Sequence, residues 1–401
     1  MKLLGSSLVS EISKAGIGGL TFLLLAAWLG PAHYGQYVQI AAITAILMPV
    51  CTLGFNWWAQ PLAREMGIRT VTLAGISVLL ICIPISGPFM LGLALLFELP
   101  ISTVVIVAIA ELAVFPIWTF ISLGLLAEKR AVAYVLVSIS IPFTKLVGTL
   151  AAVLMFDASI DKWGLTVSLM GVFGLLVTVV LLGITPWFGS RKLLTNWIRQ
   201  GVSFGLVGTA SALADNVDKV TIATVLTPSL VGSYGVSSRL VGYGAIPVKS
   251  AAVVVYSDYF SLAAEKNIAG MRRLARYAIT RSLLMSLASM IVVIFMSWVL
   301  ETWFLKEFDQ LFLVSTLLSI SIPIRSVQYA YGDILYALGR PYSRLLIALL
   351  TACFSAIGTL VGGLLLELPG VALGAVLAAI ASATTYFFFT RRLLRILEQE
   401  R

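Results

Sequence analysis

"LGPAHYGQY" (residues 29–37) and "LTPSLVGSY" (residues 226–234) are two copies of one pattern. They share Leu29 with Leu226, Pro31 with Pro228, Gly35 with Gly232 and Tyr37 with Tyr234. Each copy closes one long apolar run and opens another, as Pro and Gly between periodic segments should. A second pair of matches lies further on, where "VGTLAAVL" (147–154) aligns with "IGTLVGGL" (357–364) and Arg130 falls on Arg340 at the same offset. Matches that recur in order point to an internal repeat.

Composition says what kind of repeat this is. Of 401 residues, 60% are hydrophobic and only 11% charged, whereas about a quarter of a soluble domain is charged. The apolar runs are each about 20 residues long, the length that matches a bilayer's hydrocarbon core. The expected fold class is therefore an all-α integral membrane protein. Breakers such as "AEKR", "LGRP" and "ELPG" divide it into twelve transmembrane helices, at 8–29, 36–57, 73–97, 101–126, 132–155, 163–186, 200–226, 232–257, 278–299, 309–337, 342–366 and 370–391. The first run carries Glu11 and Lys14 and is followed at once by a second, so it reads as a span and not as a cleaved leader.

Lys and Arg set the orientation. Nineteen lie at one set of boundaries, among them Lys129, Arg130, Arg272, Arg273, Arg276, Arg340, Arg391 and Arg395, and only Lys162 and Lys306 at the other. Both termini are thus expected in the cytoplasm, in agreement with an even span count. Each half then starts on the same side. The halves become two parallel-repeat six-helix lobes, 1–190 and 191–401, with a path expected between them. The net charge of +9 sits between apolar runs without an aromatic-interleaved basic patch, so nucleic acid is not an expected partner. One histidine, His33, leaves no basis for a His-rich metal centre, and no cofactor is called for. Cys51, Cys82 and Cys353 all lie in apolar runs and read as small buried thiols.

The stretch "NVDKVTIATVLTPSLVGSYGVSSRL" resembles the lipid-linked oligosaccharide flippases of bacterial polysaccharide synthesis, a family of the multidrug/oligosaccharidyl-lipid/polysaccharide exporter superfamily. The matching residues are Asp218 and Lys219, then Leu226, Gly232 and Tyr234. "LGPAHYGQY", "YALGRPYSRLL" (336–346) and "ELPGVALGAVLA" (367–378) fit in order. This resemblance implies two six-helix lobes that alternate between inward- and outward-facing forms. It also implies a polyprenyl-diphosphate-linked oligosaccharide as the substrate, carried across the bacterial inner membrane. A polysaccharide polymerase and assembly proteins are then possible partners.

Charges inside the expected spans bear on that reading, because an intramembrane ion must face protein or water. Six are basic (Lys14, Lys145, Lys219, Arg239, Lys249 and Arg325) and five acidic (Glu11, Glu111, Asp215, Asp218 and Asp333). The basic set is the expected cationic lining for an anionic head group, Arg239 and Lys249 forming a ladder about 15 Å long. Asp215, Asp218 and Lys219 share one helix face by their i, i+3, i+4 spacing. With the hairpin turn placed near Ser229, Asp218 and Arg239 fall at equal depth and are expected to pair, as a structural tie or as part of the path. Asp215, Glu111 and Asp218 are the candidates for ion coupling, the first two because no local partner neutralises them in the sequence. Asp333 reads as a residue near the cytoplasmic exit. The segment 258–281, arginine-rich and amphipathic, is expected to rest on the anionic lipids of the cytoplasmic leaflet as it links spans eight and nine.

Three function classes remain. A flippase makes or breaks no bond, and needs a cationic path. A cation-coupled multidrug exporter would want a net acidic cleft, against the six-to-five basic margin here. A membrane enzyme of polysaccharide assembly is disfavoured, since no outer loop is long enough for acceptor chemistry and none holds paired carboxylates or metal ligands.

Overall fold

The computed structural model describes residues 2–183 and 191–399, and every element in it is helical. The helices are α1 (Lys2–Cys51), α2 (Phe55–Leu96), α3 (Ile101–Ala108), α4 (Phe115–Ala127), α5 (Ala131–Met155), α6 (Ile160–Leu182) and α7 (Arg191–Ile222). They continue with α8 (Pro228–Gly244), α9 (Ile246–Ala264), α10 (Ile268–Val299), α11 (Leu311–Ser319), α12 (Ser321–Ala337) and α13 (Pro341–Gln399). Single π-turns join α3 to α4 (Ile109–Val114) and extend α10 (Leu300–Phe304).

Several elements are two helices bent at a breaker. Gly30 interrupts α1 with φ 70° immediately before Pro31, and only glycine takes that backbone at no steric cost. The hinge of α13 is Leu366 and Glu367, inside "ELPG". Two expected spans differ from prediction in the same way: 232–257 is broken at Ala245 between α8 and α9, and 309–337 at Ile320 between α11 and α12. Among the described residues, eight helical stretches are long and apolar enough to cross a bilayer. The twelve-span count remains the sequence expectation. Residues 184–186 of the sixth expected span, the residue-190 end of the first expected lobe and Arg401 lie outside the described residues.

The chain forms two units, residues 1–212 and 213–401. In the first, α1 packs on α5, α2 on α4, and α6 on α3 and α5. Its interior holds Tyr37 edge-on to Trp163 with centroids 4.9 Å apart, and the Trp163 indole donates to Thr149 Oγ1 at 2.9 Å. In the second, α10 packs on α9 and α12, and α12 on α13. The two arms of α13 touch backbone to backbone. A Cβ built on Gly362 would sit 2.1 Å from the Gly370 carbonyl oxygen, and one on Gly374 the same distance from that of Gly358. Small residues let helices approach this closely where lipid supplies no hydrophobic drive.

The turns before α5 and α13 share one geometry. Arg130 N–H donates to Leu125 O at 3.0 Å and Arg340 N–H to Leu335 O at 2.9 Å. The residue before each arginine has positive φ, 60° at Lys129 and 67° at Gly339. The outer surface is apolar in the first unit, where Leu154, Val180 and Leu181 are each at least three-quarters exposed, and in the second, where Leu284 and Leu365 are exposed. Water would not tolerate such a belt, and lipid would. Cys51 and Cys82 are buried as expected. Cys353 is not: it lies on the exposed face of α13.

Candidate functional site

The charged residues of the second unit gather where α7, α8 and α12 meet. Asp218 is buried and both its oxygens are engaged: Oδ1 accepts from Lys219 Nζ at 3.1 Å and Oδ2 from the Tyr234 hydroxyl at 2.6 Å. Lys219 also donates to the Asp215 carbonyl at 2.8 Å. Arg325 reaches into the same group from α12. It hydrogen-bonds Tyr329 and carries the electrostatic attraction of both Asp215 and Asp218. The Asp215 carboxylate itself remains exposed.

The expected Asp218–Arg239 tie is therefore replaced by Tyr234, for a geometric reason. α7 ends at Ile222 and α8 starts at Pro228, so the hairpin is centred several residues before Ser229. That shift brings Tyr234 to the depth of Asp218. Arg239 is half-buried on α8 with contacts of its own. Lys249 is exposed on α9. The break at Ala245 falls between them, so no single helical wheel carries the expected ladder.

A polar line continues along α12 through Arg325, Tyr329 and Asp333, spaced at i, i+4, i+8 on one face. Asp333 pairs with Arg344 Nη1 at 3.3 Å, and the Arg344 guanidinium lies 4.2 Å from the Tyr336 ring centroid. Tyr386, buried on α13, feels the charges of Arg344, Asp215 and Asp333. A small hollow lined by Tyr259, Ser282, Ser326, Tyr329 and Asp333 opens on this line. The hydroxyls of Tyr259 and Ser326 are buried there with no hydrogen-bond partner among the described residues, an arrangement that a bound water would satisfy. Asp333, set aside in the sequence reading, is thus part of a connected polar system. So are Tyr234, marked in the sequence only by the family resemblance, and Tyr329, Arg344 and Tyr386, to which sequence alone assigned no role in the site. The i, i+4, i+8 spacing of Arg325, Tyr329 and Asp333 was the available signal.

In the first unit Glu111 and Lys145 meet. Lys145 Nζ donates to both Glu111 oxygens at 2.7 and 2.9 Å and lies 4.3 Å from the Phe115 ring centroid. Glu111 has no local partner, but a distant one neutralises it: Lys145 lies 34 residues away on α5, out of reach of any local pattern. Glu111 sits in the π-turn Ile109–Val114, and such insertions re-aim side chains at functional positions. The counterparts of Glu111 and Lys145 in the second copy are Ser321 and Ser355, both buried. Lys14 is held by Glu11 one turn away on α1, both partly exposed, and joins neither cluster. Among the described residues no set of His, Cys, Asp and Glu is arranged to hold a metal.

The segment 258–281 also differs from expectation. It is not a separate linking helix but the end of α9, which runs to Ala264, and the start of α10 at Ile268, which the Asn267 side chain caps by accepting from Gly270 N–H at 2.8 Å.

Comparison with known proteins follows this geometry. A family profile described as "Polysaccharide biosynthesis protein" matches residues 2–257. No curated protein sequence is significantly similar. Among solved structures, the chain is similar to an inward-facing multidrug resistance MATE family transporter of the MOP superfamily. The TM-score is 0.78 at 16% identity, covering 98% of this chain and 99% of that one. It is also similar to a MOP superfamily transporter from Pyrococcus furiosus whose binding pocket is described as of reverse polarity. There the TM-score is 0.70 at 15% identity, covering 99% and 95%. Identities this low establish a shared fold.

Proposed function

Because the chain belongs to the polysaccharide biosynthesis protein family and has the fold of MOP superfamily transporters, we propose that it flips polyprenyl-diphosphate-linked oligosaccharide repeat units across the bacterial inner membrane. It is a multi-pass transporter and not an enzyme. Alternating access of two six-helix lobes would carry the glycan through, with its lipid tail left in the bilayer. The downstream partners on this reading are a polymerase and assembly proteins.

The observation that carries the reading is Arg325, a half-buried intramembrane cation that hydrogen-bonds Tyr329 and lies within the electrostatic reach of Asp215 and Asp218. A diphosphate entering this group replaces Asp215 as the counter-charge of Arg325 and draws on Lys219, whose bond to Asp218 is a single contact at 3.1 Å. Charge-assisted contacts of this kind substitute for the water that lipid does not supply. The displaced carboxylate then gains a cation or proton, which is how Asp215 and Asp218 would couple ion movement to flipping. Glu111, already neutralised by Lys145, would join only if that pair opens. Arg239 and Lys249 extend the cationic lining on α8 and α9.

Deletion of the gene followed by lipid extraction tests the proposal. Accumulation of lipid-linked repeat units on the inner leaflet supports it, and restoration by the wild-type chain but not by Arg325→Ala ties it to this site. A second reading, a cation-coupled multidrug exporter, draws on the likeness to the MATE transporter. Unchanged lipids together with altered drug tolerance would select it.

A further inference from the structure

The geometry points to a clamp for the phosphate of an anionic phospholipid, formed by Arg276 of α10 and Arg391 of α13 over the aromatic pair Tyr331–Phe387. The Arg391 guanidinium stands 5.3 Å from the Phe387 ring centroid, and Phe387 meets Tyr331 edge-on at 5.4 Å. Arg276 follows Ala275, which is buried in one cluster with Leu394 of α13 and Ile334 of α12, and Tyr331 packs against that cluster. Three helices are thereby fixed around one spot. Tyr331 lies within the electrostatic reach of both guanidinium groups.

Arg272, one turn before Arg276 on α10, is met by Glu398 of α13 at 2.8 Å. That bridge links the two helices and neutralises its own cation. Arg276 and Arg391, next along the same helix pair, are exposed and form no ion pair among the described residues. Two positive charges near one tyrosine, neither in an ion pair among the described residues, favour an anion that accepts several hydrogen bonds, and guanidinium forks match phosphate oxygens. The distribution of Lys and Arg puts this end of α10 and α13 on the cytoplasmic side, where the head groups of the inner leaflet are anionic. A phosphodiester head group fits that level, with Tyr331 and Phe387 beside its glycerol. The clamp stands outside the transport reading and would serve a flippase or an exporter equally.

The test is native mass spectrometry of the full-length protein in detergent, titrated with phosphatidylglycerol or phosphatidylcholine. Wild type should retain one phosphatidylglycerol where phosphatidylcholine is lost. Arg276→Gln/Arg391→Gln should lower that occupancy about tenfold or more, the equivalent of losing one or two charge-assisted hydrogen bonds. Arg69→Gln, an exposed cation of the first unit, should leave it unchanged. Melting in phosphatidylcholine nanodiscs checks that the double variant folds. If it does not, Arg276→Lys and Arg391→Lys, which keep the charge and lose the fork, should each weaken retention several-fold. Undiminished retention in these variants overturns the clamp, as does equal loss in Arg69→Gln. Displacement of the lipid by millimolar inorganic phosphate would assign the site to soluble anions and overturn the lipid assignment.

Discussion

Replacing Lys145 by Met removes one half of an intramembrane ion pair and leaves the other in place. Glu111 then loses both short contacts, 2.7 and 2.9 Å, while its side chain remains only 23% exposed. Breaking a fully buried pair in this way costs about 3–5 kcal/mol. A quarter-exposed carboxylate recovers some solvation, which brings the expected cost to about 2–3 kcal/mol. For a unit of this size each kcal/mol lowers the melting temperature by about 2–4 °C. Lys145→Met should therefore melt roughly 4–12 °C below wild type, read by fluorescence-detected gel filtration of heated detergent samples. Glu111→Gln/Lys145→Met has no stranded charge. It should recover most of the loss, with a coupling of about 2 kcal/mol in the double-variant cycle. If instead the double variant melts at the sum of the two single effects, the pair is not what neutralises Glu111 and the reasoning fails.

Other expectations follow from the same contacts. Gly362→Ala places a methyl group against the Gly370 carbonyl and should lower the melting temperature by several degrees, since the contact is backbone on backbone; an unchanged melt would show that the arms of α13 separate freely. Tyr234→Phe strands one oxygen of buried Asp218 and should cost about 1.5–3 kcal/mol, much of it recovered by adding Asp218→Asn, in the same melting assay. Arg239→Ala and Lys249→Ala should each abolish surface polysaccharide in cells without lowering membrane abundance of the protein. Normal output from both would remove them from the path. Glu398→Gln breaks an exposed bridge and should change stability by less than about 1 kcal/mol.

The features that could be read from the chain were those set by local chemistry. Apolar runs of bilayer length, the "LGPAHYG" and "ELPG" breakers and the paired turns at Arg130 and Arg340 all mark real bends or joints in the structure. Even the α8–α9 break carries a local signal, Gly242 and Gly244 followed by Pro247, overlooked because the apolar run continues through it. Contacts set by register were beyond such reading. A few residues' error in placing the α7–α8 turn exchanged Tyr234 for Arg239 as the partner of Asp218. The π-turn at Glu111 adds a residue to a helical turn without any composition signal. Its pairing with Lys145 depends on how that turn and α5 pack, which periodicity does not encode.

The glycine seam in α13 has a mechanical consequence. With carbonyls of one arm seated where the other has no side chains, the last two spans have no slack to slide or splay. They behave as a single strut. Helix breaks elsewhere in this unit, at Ala245 and Ile320, flank the helices that bear Arg239 and Arg325.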